Sequence, residues 1–353
     1  MKNKKIKIII IDDSVVVRKT VSDIINREPD MEVIATAKDP YEGRDKIVYL
    51  NPDVLILDIE MPKMDGLTFL GKLMKSKPMP VIIFSSLAKD RSKYEYTAFD
   101  LGAVGVIEKP LNKESASDIY EEMFDLIRTS SGLTQIQLRA LERRIIQKNV
   151  TIKELSKNFL LTKPVIAIGA STGGTHAIRK IISRLPEKMP PIVMTQHMPK
   201  NFTTQFASNL NSCSQLTVLE AQGGEQLKNG IVYLSPGGMH MQIEKKGAFY
   251  YTKIVDGPLV HHQKPAVEVL FNSIAEVMKK DAVGILLTGM GVDGAEGLLN
   301  MRRNGAFTIA QNEQSCVVFG MPKEAIKLEA ADRILDINEI PDFLVKYLEG
   351  ING

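Results

Sequence analysis

A chain of 353 residues has room for two domains of about 150 residues, each large enough to bury a core of its own. Its 44% hydrophobic and 25% charged residues are ordinary for a globular protein and exclude a disordered chain or one made mostly of membrane spans. The 45 basic residues nearly cancel the 42 acidic ones, and the resulting +3 gives no footprint for a nucleic-acid partner.

At the start, a basic stretch to Lys7 runs into Ile8–Ile11, which has the outline of a secretory leader. Asp12 and Asp13 end the apolar run well short of the ~7 to 15 residues such a leader needs, so a first strand is expected instead. No apolar run approaches ~18 residues, and the chain is not expected to be membrane-inserted. Cys213 and Cys316 lie far apart without metal-ligand spacing, the pattern of ordinary reduced thiols in a cytoplasmic protein.

Residues 1–128 form the first expected domain. From residue 6 onward apolar runs alternate with helical patterns, which predicts βαβ units around a parallel sheet. The expected strands are Lys7–Ile11, Met31–Ala37, Val54–Asp58, Val81–Ser85 and Val104–Glu108. Such a (βα)5 unit makes a doubly wound, flavodoxin-like α/β sheet whose functional crevice lies outside the carboxyl ends of its strands. Asp12 and Asp13, Asp58, Ser85 and Lys109 stand at the ends of four of these strands and therefore share one edge. Carboxylates gathered there repel one another, which favours a hard divalent cation such as Mg²⁺ with its oxygen ligands. A lysine and a hydroxyl on neighbouring strands suit the oxygens of a transferred phosphoryl group. Strand-end residues that merely face water would account for any one of these groups, but not for five on one edge.

The pieces Asp12-Asp13-Ser14, Asp58-Ile59-Glu60-Met61-Pro62-Lys63-Met64-Asp65-Gly66, Ser85-Ser86 and Lys109-Pro110 follow one another as in the receiver domains of two-component response regulators, which the first third of the chain resembles. The resemblance implies that Asp58 accepts phosphate from a histidine kinase. It also implies that Asp13, Asp58 and the backbone carbonyl of Glu60 ligate Mg²⁺, with Asp12 supporting the metal site, Ser85 sensing the phosphoryl group and Lys109 pairing with it. Val106 stands three residues before Lys109, where receivers commonly carry Tyr or Phe, and argues against an aromatic-rotamer switch.

Residues 129–162 read as a linker, because the strand-helix alternation lapses and Ser130-Ser131-Gly132 marks a break. Leu133–Lys148 has helical character with a basic face of Arg139, Arg143, Arg144 and Lys148, either solvated or a docking surface for acidic groups.

The second expected domain spans 163–353. Its first strand, Val165–Ile168, runs into Gly169-Ala170-Ser171-Thr172-Gly173-Gly174 and a helical pattern over Ala177–Leu185. A serine in such a strand-glycine-helix turn fits a nucleophile elbow, although the turn alone serves equally well as an anion-binding loop. Two further strand ends narrow the choice: Ile192–Thr195 leads to Gln196-His197, and Ala282–Thr288 leads to Gly289-Met290-Gly291-Val292-Asp293-Gly294. If the three strands are parallel neighbours, Ser171, His197 and Asp293 meet in one crevice with the makings of a hydrolase. The order serine, histidine, aspartate is not that of the α/β-hydrolases. Gly289–Gly294 is also a formal dinucleotide fingerprint followed by Glu313, but Asp293 would repel a pyrophosphate. The segment Gly230–Ile254 predicts an antiparallel hairpin on the sheet edge. His240, His261 and His262 read as loop residues, with His261-His262 alternatively lining a groove.

The segments around Ser171, His197 and Asp293, together with Leu234-Ser235-Pro236-Gly237, resemble the catalytic domain of the chemotaxis protein-glutamate methylesterases. That family hydrolyses glutamyl γ-methyl esters on methylated chemoreceptors, and some members also deamidate receptor glutamines. The resemblance implies a Ser171-His197-Asp293 triad, an oxyanion donor at the backbone N–H of Met290, and a second polar contact at Thr172. Mg²⁺ would serve the receiver, and no cofactor the esterase. Ala266 and Glu268 stand where relatives often show serine and aspartate, a change expected to alter the rim of the site. A receiver ahead of an esterase further implies that phosphorylation relieves inhibition of the crevice. A binding adaptor that had lost catalysis would not need the triad, and a DNA-binding regulator would need a basic or helix-turn-helix output that is not visible.

Overall fold

The computed structural model describes residues 5–86, 94, 97–99, 101–110, 116–133, 165–198, 200 and 202–351. The chain divides into two units, Met1–Lys148 and Asn149–Gly353. The basic stretch with Arg139, Arg143, Arg144 and Lys148 lies outside the described residues.

In the first unit β1 (Ile6–Ile11), β2 (Met31–Ala37), β3 (Val54–Leu57), β4 (Val81–Ser85) and β5 (Gly105–Glu108) each fall within a residue of expectation. They pair in parallel in the order β2-β1-β3-β4-β5, the flavodoxin-like arrangement. The central runs Ile8–Ile11 and Val54–Leu57 are wholly buried, as unbroken apolar strands must be when helices cover both faces. Helices α1 (Val15–Ile25), α2 (Pro40–Leu50) and α3 (Gly66–Ser76) begin just past strand-end loops, where Ser14, Asp39 and Asp65 accept hydrogen bonds from the free N–H groups of the first turn. These caps fix the loops that carry the acids. Helix α4 (Ala116–Ser131) runs three residues past the boundary expected at 128.

The second unit is built on seven parallel strands in the order β14-β13-β12-β6-β7-β9-β8. These are β6 (Val165–Ala170), β7 (Ile192–Gln196), β8 (Thr217–Glu220), β9 (Ile231–Leu234), β12 (Ala282–Leu286), β13 (Phe307–Gln311) and β14 (Arg333–Leu335). The described helices are α5 (Gly174–Ile182), α6 (Phe202–Ser212), α7 (Val267–Val277), α8 (Ala295–Arg303), α9 (Met321–Lys327) and α10 (Ile340–Ile351). The chain winds outward from β6 through β7, then crosses back to lay β12, β13 and β14 on the other side. The winding therefore reverses between β6 and β12, which opens a crevice at their carboxyl ends. Among the described residues no helix is long and apolar enough to cross a membrane.

The hairpin differs from expectation. Strands β10 (His240–Lys246) and β11 (Phe249–Val255) pair antiparallel as a separate two-stranded sheet, and the edges of the main sheet are β14 and β8. Met241 and Ile243 join the core cluster of Leu270, Phe271 and Ile274 from α7, and Ile243 N donates to Ser273 Oγ at 3.0 Å. Burial against a helix, rather than pairing with the sheet, thus places the hairpin. The apolar run ahead of it, Ile231–Leu234, is an internal parallel strand between β7 and β8.

Candidate active site and phosphoacceptor site

In the first unit the residues sharing the sheet edge converge. Lys109 Nζ lies 2.7 Å from Asp12 Oδ2 and 2.6 Å from Asp58 Oδ2, with Asp12 and Asp58 only 2% and 3% exposed. Asp13 is exposed, and a carboxylate oxygen from each of Asp12, Asp13 and Asp58 falls within 4.8 Å of the others. Burial lifts the Asp12 carboxyl above its ordinary range, and Lys109 offsets this only in part. Burial also opposes the charge on Lys109, but its hydrogen bonds to Asp12 and Asp58 outweigh it and hold the ammonium above the ordinary lysine value. Asp58 Oδ1 accepts from Ile59 N at 2.7 Å, which leaves its second oxygen to Lys109.

Ser85, at the end of β4, is fully buried, and among the described residues its Oγ has no hydrogen-bond partner. An orphaned buried hydroxyl costs about 1–3 kcal/mol, a cost that an incoming oxyanion at that strand end would remove. The Glu60 side chain is exposed, two residues past Asp58 in the β3–α3 loop. A Cβ on Gly66 would lie 2.0 Å from the Asp58 carbonyl oxygen, so α3 can start against the acid only with glycine there. The orphaned hydroxyl, the compensating lysine and the acid cluster fit a divalent cation and a phosphoryl group. Val106 is half-buried on β5.

In the second unit Ser171, His197 and Asp293 follow β6, β7 and β12, which are adjacent and parallel. Ser171 N donates to Thr288 O at 3.0 Å, and Ser171 O accepts from Gly174 N at 2.7 Å and Gln196 Nε2 at 2.9 Å. Gly173 takes φ 77° in the turn, and a Cβ there would sit 2.5 Å from Val317. The backbone of Ser171 is thus held from both neighbouring strands, leaving Oγ as the free end. Its Oγ lies 2.9 Å from His197 Nδ1, and His197 Nε2 lies 2.6 Å from Asp293 Oδ2.

Asp293 is 2% exposed yet fully satisfied, because Oδ2 also accepts from Val267 N at 2.7 Å and Oδ1 from Glu268 N at 2.9 Å. These are free N–H groups of the first turn of α7, where the helix dipole favours negative charge. An ionised carboxylate only accepts, so the imidazole proton belongs on Nε2 and the lone pair on Nδ1 faces the serine. Gly289 packs on the nucleophile: a Cβ there would lie 2.7 Å from Ser171 Cβ. Met290 follows Gly289 directly, and the Thr172 carbonyl accepts from Thr288 Oγ1 at 2.9 Å. Of the two candidate oxyanion residues, Thr172 is thus a chain neighbour of Ser171 itself and Met290 of the glycine that packs on it.

Several expectations change. Ala266 and Glu268 are buried, at 0% and 7% exposure, so they stand behind Asp293 rather than on a rim. His240 is no loop residue: it is buried at the start of β10, its Nε2 lies 2.9 Å from Pro258 O, and its Nδ1 accepts from Ala266 N at 3.2 Å. His261 and His262 are exposed, with φ 51° and 62°. The dinucleotide fingerprint is closed, because the Gly294 N–H at the start of α8 already donates to Glu268 Oε2 at 3.1 Å. Cys213 is half-buried and Cys316 is buried. The supports given by Thr288 and Gln196 carry no sequence signature of their own, beyond Gln196 standing immediately before His197.

The chain matches the family models of the CheB methylesterase over residues 166–344 and of the response regulator receiver domain over 8–121. The protein-glutamate methylesterase/protein-glutamine glutaminase 2 of Syntrophus aciditrophicus (strain SB) is 47% identical over 344 residues, covering 98% of this chain and 99% of that one. The protein-glutamate methylesterase/protein-glutamine glutaminase of Yersinia pestis is 46% identical, with 95% of each chain covered. The crystal structure of the Thermotoga maritima CheB methylesterase catalytic domain matches with a TM-score of 0.52 and 37% identity, covering 53% of this chain and 100% of that one. The chain therefore belongs to the CheB methylesterase family and carries a response regulator receiver domain ahead of its methylesterase domain.

Proposed function

We propose that the second unit hydrolyses glutamyl γ-methyl esters of chemoreceptors, with Ser171 as nucleophile, His197 as general base and Asp293 as its orienting carboxylate. The observation that carries this reading is the continuous pair of hydrogen bonds from Ser171 Oγ through His197 to Asp293, at 2.9 and 2.6 Å. His197 Nδ1 takes the hydroxyl proton as Oγ attacks the ester carbonyl. Asp293 stabilises the imidazolium, and the Met290 N–H with Thr172 receives the developing oxyanion. The Nδ1 proton then passes to the leaving oxygen, methanol departs, and water releases the acyl-enzyme as glutamate by the same route. A side-chain amide would react likewise and release ammonia, in keeping with the double name of the relatives.

In the first unit Asp58 is the phosphoacceptor, supplied by a chemotaxis histidine kinase. Asp13, Asp58 and the Glu60 carbonyl would hold Mg²⁺, supported by Asp12, and the ion would supply charge neutralisation for an incoming phosphoryl group. Lys109 and Ser85 would receive the phosphoryl oxygens. Phosphorylation would then shift the population toward an active esterase. Substrate and kinase both place this work in the cytoplasm.

The test is methanol release from methylated receptor membranes by the purified chain, with and without Mg²⁺ and a small-molecule phosphodonor. Release should vanish in Ser171→Ala, and its response to phosphodonor should vanish in Asp58→Asn. A folded chain that labels at Asp58 and releases no methanol under any condition would sink the esterase and favour a binding adaptor.

A further inference from the structure

Behind the triad lies a second buried carboxylate with no assigned role. Glu268 is 7% exposed and both its oxygens are engaged, Oε2 by Gly294 N at 3.1 Å and Oε1 by Asn272 Nδ2 at 3.0 Å. Its own backbone N–H donates to Asp293 Oδ1. The two acids therefore cap each other's helices: Asp293 closes the first turn of α7, and Glu268 closes the start of α8 through the residue that follows Asp293. Room for this exists because α8 presents Gly297, whose Cβ would stand 3.3 Å from Glu268 Oε1.

We propose that Glu268 is a positioning residue of the esterase: it locks the Asp293 loop against α7 and adds a second negative charge behind His197. This rests on the triad reading given above. The lock alone could be structural; the charge is what distinguishes the proposal. Both Glu268 oxygens accept hydrogen bonds and nothing accepts from them, so the arrangement suits the ionised acid. Burial, reinforced by the negative Asp293, raises its proton affinity, and His261 works against that rise. The charged or titratable groups that face it among the described residues are Asp293 from the β12–α8 loop, with His197 beyond, and His261 from the loop ahead of α7; those of His261, Glu268 and Asp293 lie within 4.8 Å of one another. An ionised Glu268 favours the imidazolium that His197 becomes in the transition state.

The experiment is the pH dependence of methanol release by the full chain in wild type, Glu268→Gln, Asp293→Asn and the double variant, with Ser171→Ala as control. Glutamine keeps an acceptor for Gly294 N and removes the charge, at the cost of turning its NH₂ toward Asn272 Nδ2. The expected result is a kcat lower by about threefold, a KM within about twofold, and an acid limb moved to lower pH by about half a unit, because the imidazolium loses a stabilising charge. In the Asp293→Asn background the same change should have a smaller further effect, since the loop that Glu268 locks no longer carries the carboxylate while its charge still faces His197. If Glu268→Gln does not fold, Asn272→Ala serves in its place. It removes a donor from an exposed position, makes Glu268 harder to ionise, and should move the acid limb the same way by a smaller amount. A wild-type pH profile in whichever variant folds, or a rate loss that tracks melting temperature alone, overturns the proposal. Activity that survives Ser171→Ala overturns the triad reading instead.

Discussion

The two acid sites solve one problem in opposite ways. Each sets a nearly inaccessible aspartate at the carboxyl end of a parallel sheet, Asp58 after β3 and Asp293 after β12. Asp58 is balanced chiefly by a side-chain cation, Lys109, which it shares with Asp12. Asp293 is balanced by two backbone N–H groups of α7 and by His197. A lysine on a flexible stem can change partners when a new anion arrives, whereas helix N–H groups are fixed by the helix itself. The first arrangement suits a switch, and the second suits a triad whose geometry must not move.

The sharpest way to break that contrast is Asp293→Asn. An amide must turn its NH₂ either toward the Val267 N–H and His197 or toward the Glu268 N–H, and either choice opposes donor to donor. With its NH₂ toward His197 the amide costs the histidine its tautomer, and with its NH₂ toward Glu268 it still lacks the charge that balances the imidazolium, so kcat should fall by about 10³–10⁴ in the methanol assay. Near wild-type turnover would mean that backbone donors do not define Asp293. On the other side, Lys109→Met leaves Asp12 and Asp58 buried without their cation, and should destabilise the receiver by about 3 kcal/mol, since removing one partner of a buried pair strands the other. Urea unfolding of the full chain in Mg²⁺-free buffer measures this, and Mg²⁺ should restore part of the loss.

Smaller effects are expected from the glycines against which each site is packed. Gly66→Ala would drive a Cβ to within 2.0 Å of the Asp58 carbonyl oxygen, and Gly289→Ala to within 2.7 Å of Ser171 Cβ. Each should cost about 1–3 kcal/mol through strain. Gly66→Ala should slow phosphodonor labelling, and Gly289→Ala should lower methanol release. A loss of esterase turnover from Gly66→Ala equal to that from Gly289→Ala would dissolve the division of labour.

The same contrast explains what could be read without a structure. Strand ends were legible because Ile8–Ile11, Val54–Leu57 and Val165–Ile168 are unbroken apolar runs stopped by polar residues, and in a parallel sheet those stops share an edge. Ser171, His197 and Asp293 could be gathered on that basis. The support behind them could not, because the Val267 and Glu268 N–H groups have no side-chain signature and Glu268 sits 25 residues from its partner in the chain. The hairpin was legible as a hairpin from its turn at Lys246-Gly247, but its seat on α7 depends on a helix that follows it in sequence. Strands β8 and β14 are four and three residues long, too short to show a period.

The least conspicuous consequence of the contrast is a difference in alkaline behaviour. Lys109 holds its proton more tightly than the ordinary value of 10.5, so its contribution to stability is complete below that pH and is lost as pH climbs through the raised folded value. Asp12 is also raised, from 3.8, so the stability linked to its proton is present below 3.8 and gone once pH has risen through its folded value. Between these limits the Asp12–Lys109 contribution should be level. The backbone donors that hold Asp293 do not titrate, so the Asp293 site itself should have no matching alkaline component. The difference in unfolding free energy between wild type and Lys109→Met should therefore stay constant from about pH 7 to pH 10 and shrink toward pH 12. Subtracting the variant cancels the other lysines and tyrosines that titrate in the same range. A difference that stays flat to pH 12 would mean that the Lys109 charge does not hold the two acids together, and that the receiver site is no more switchable than the triad.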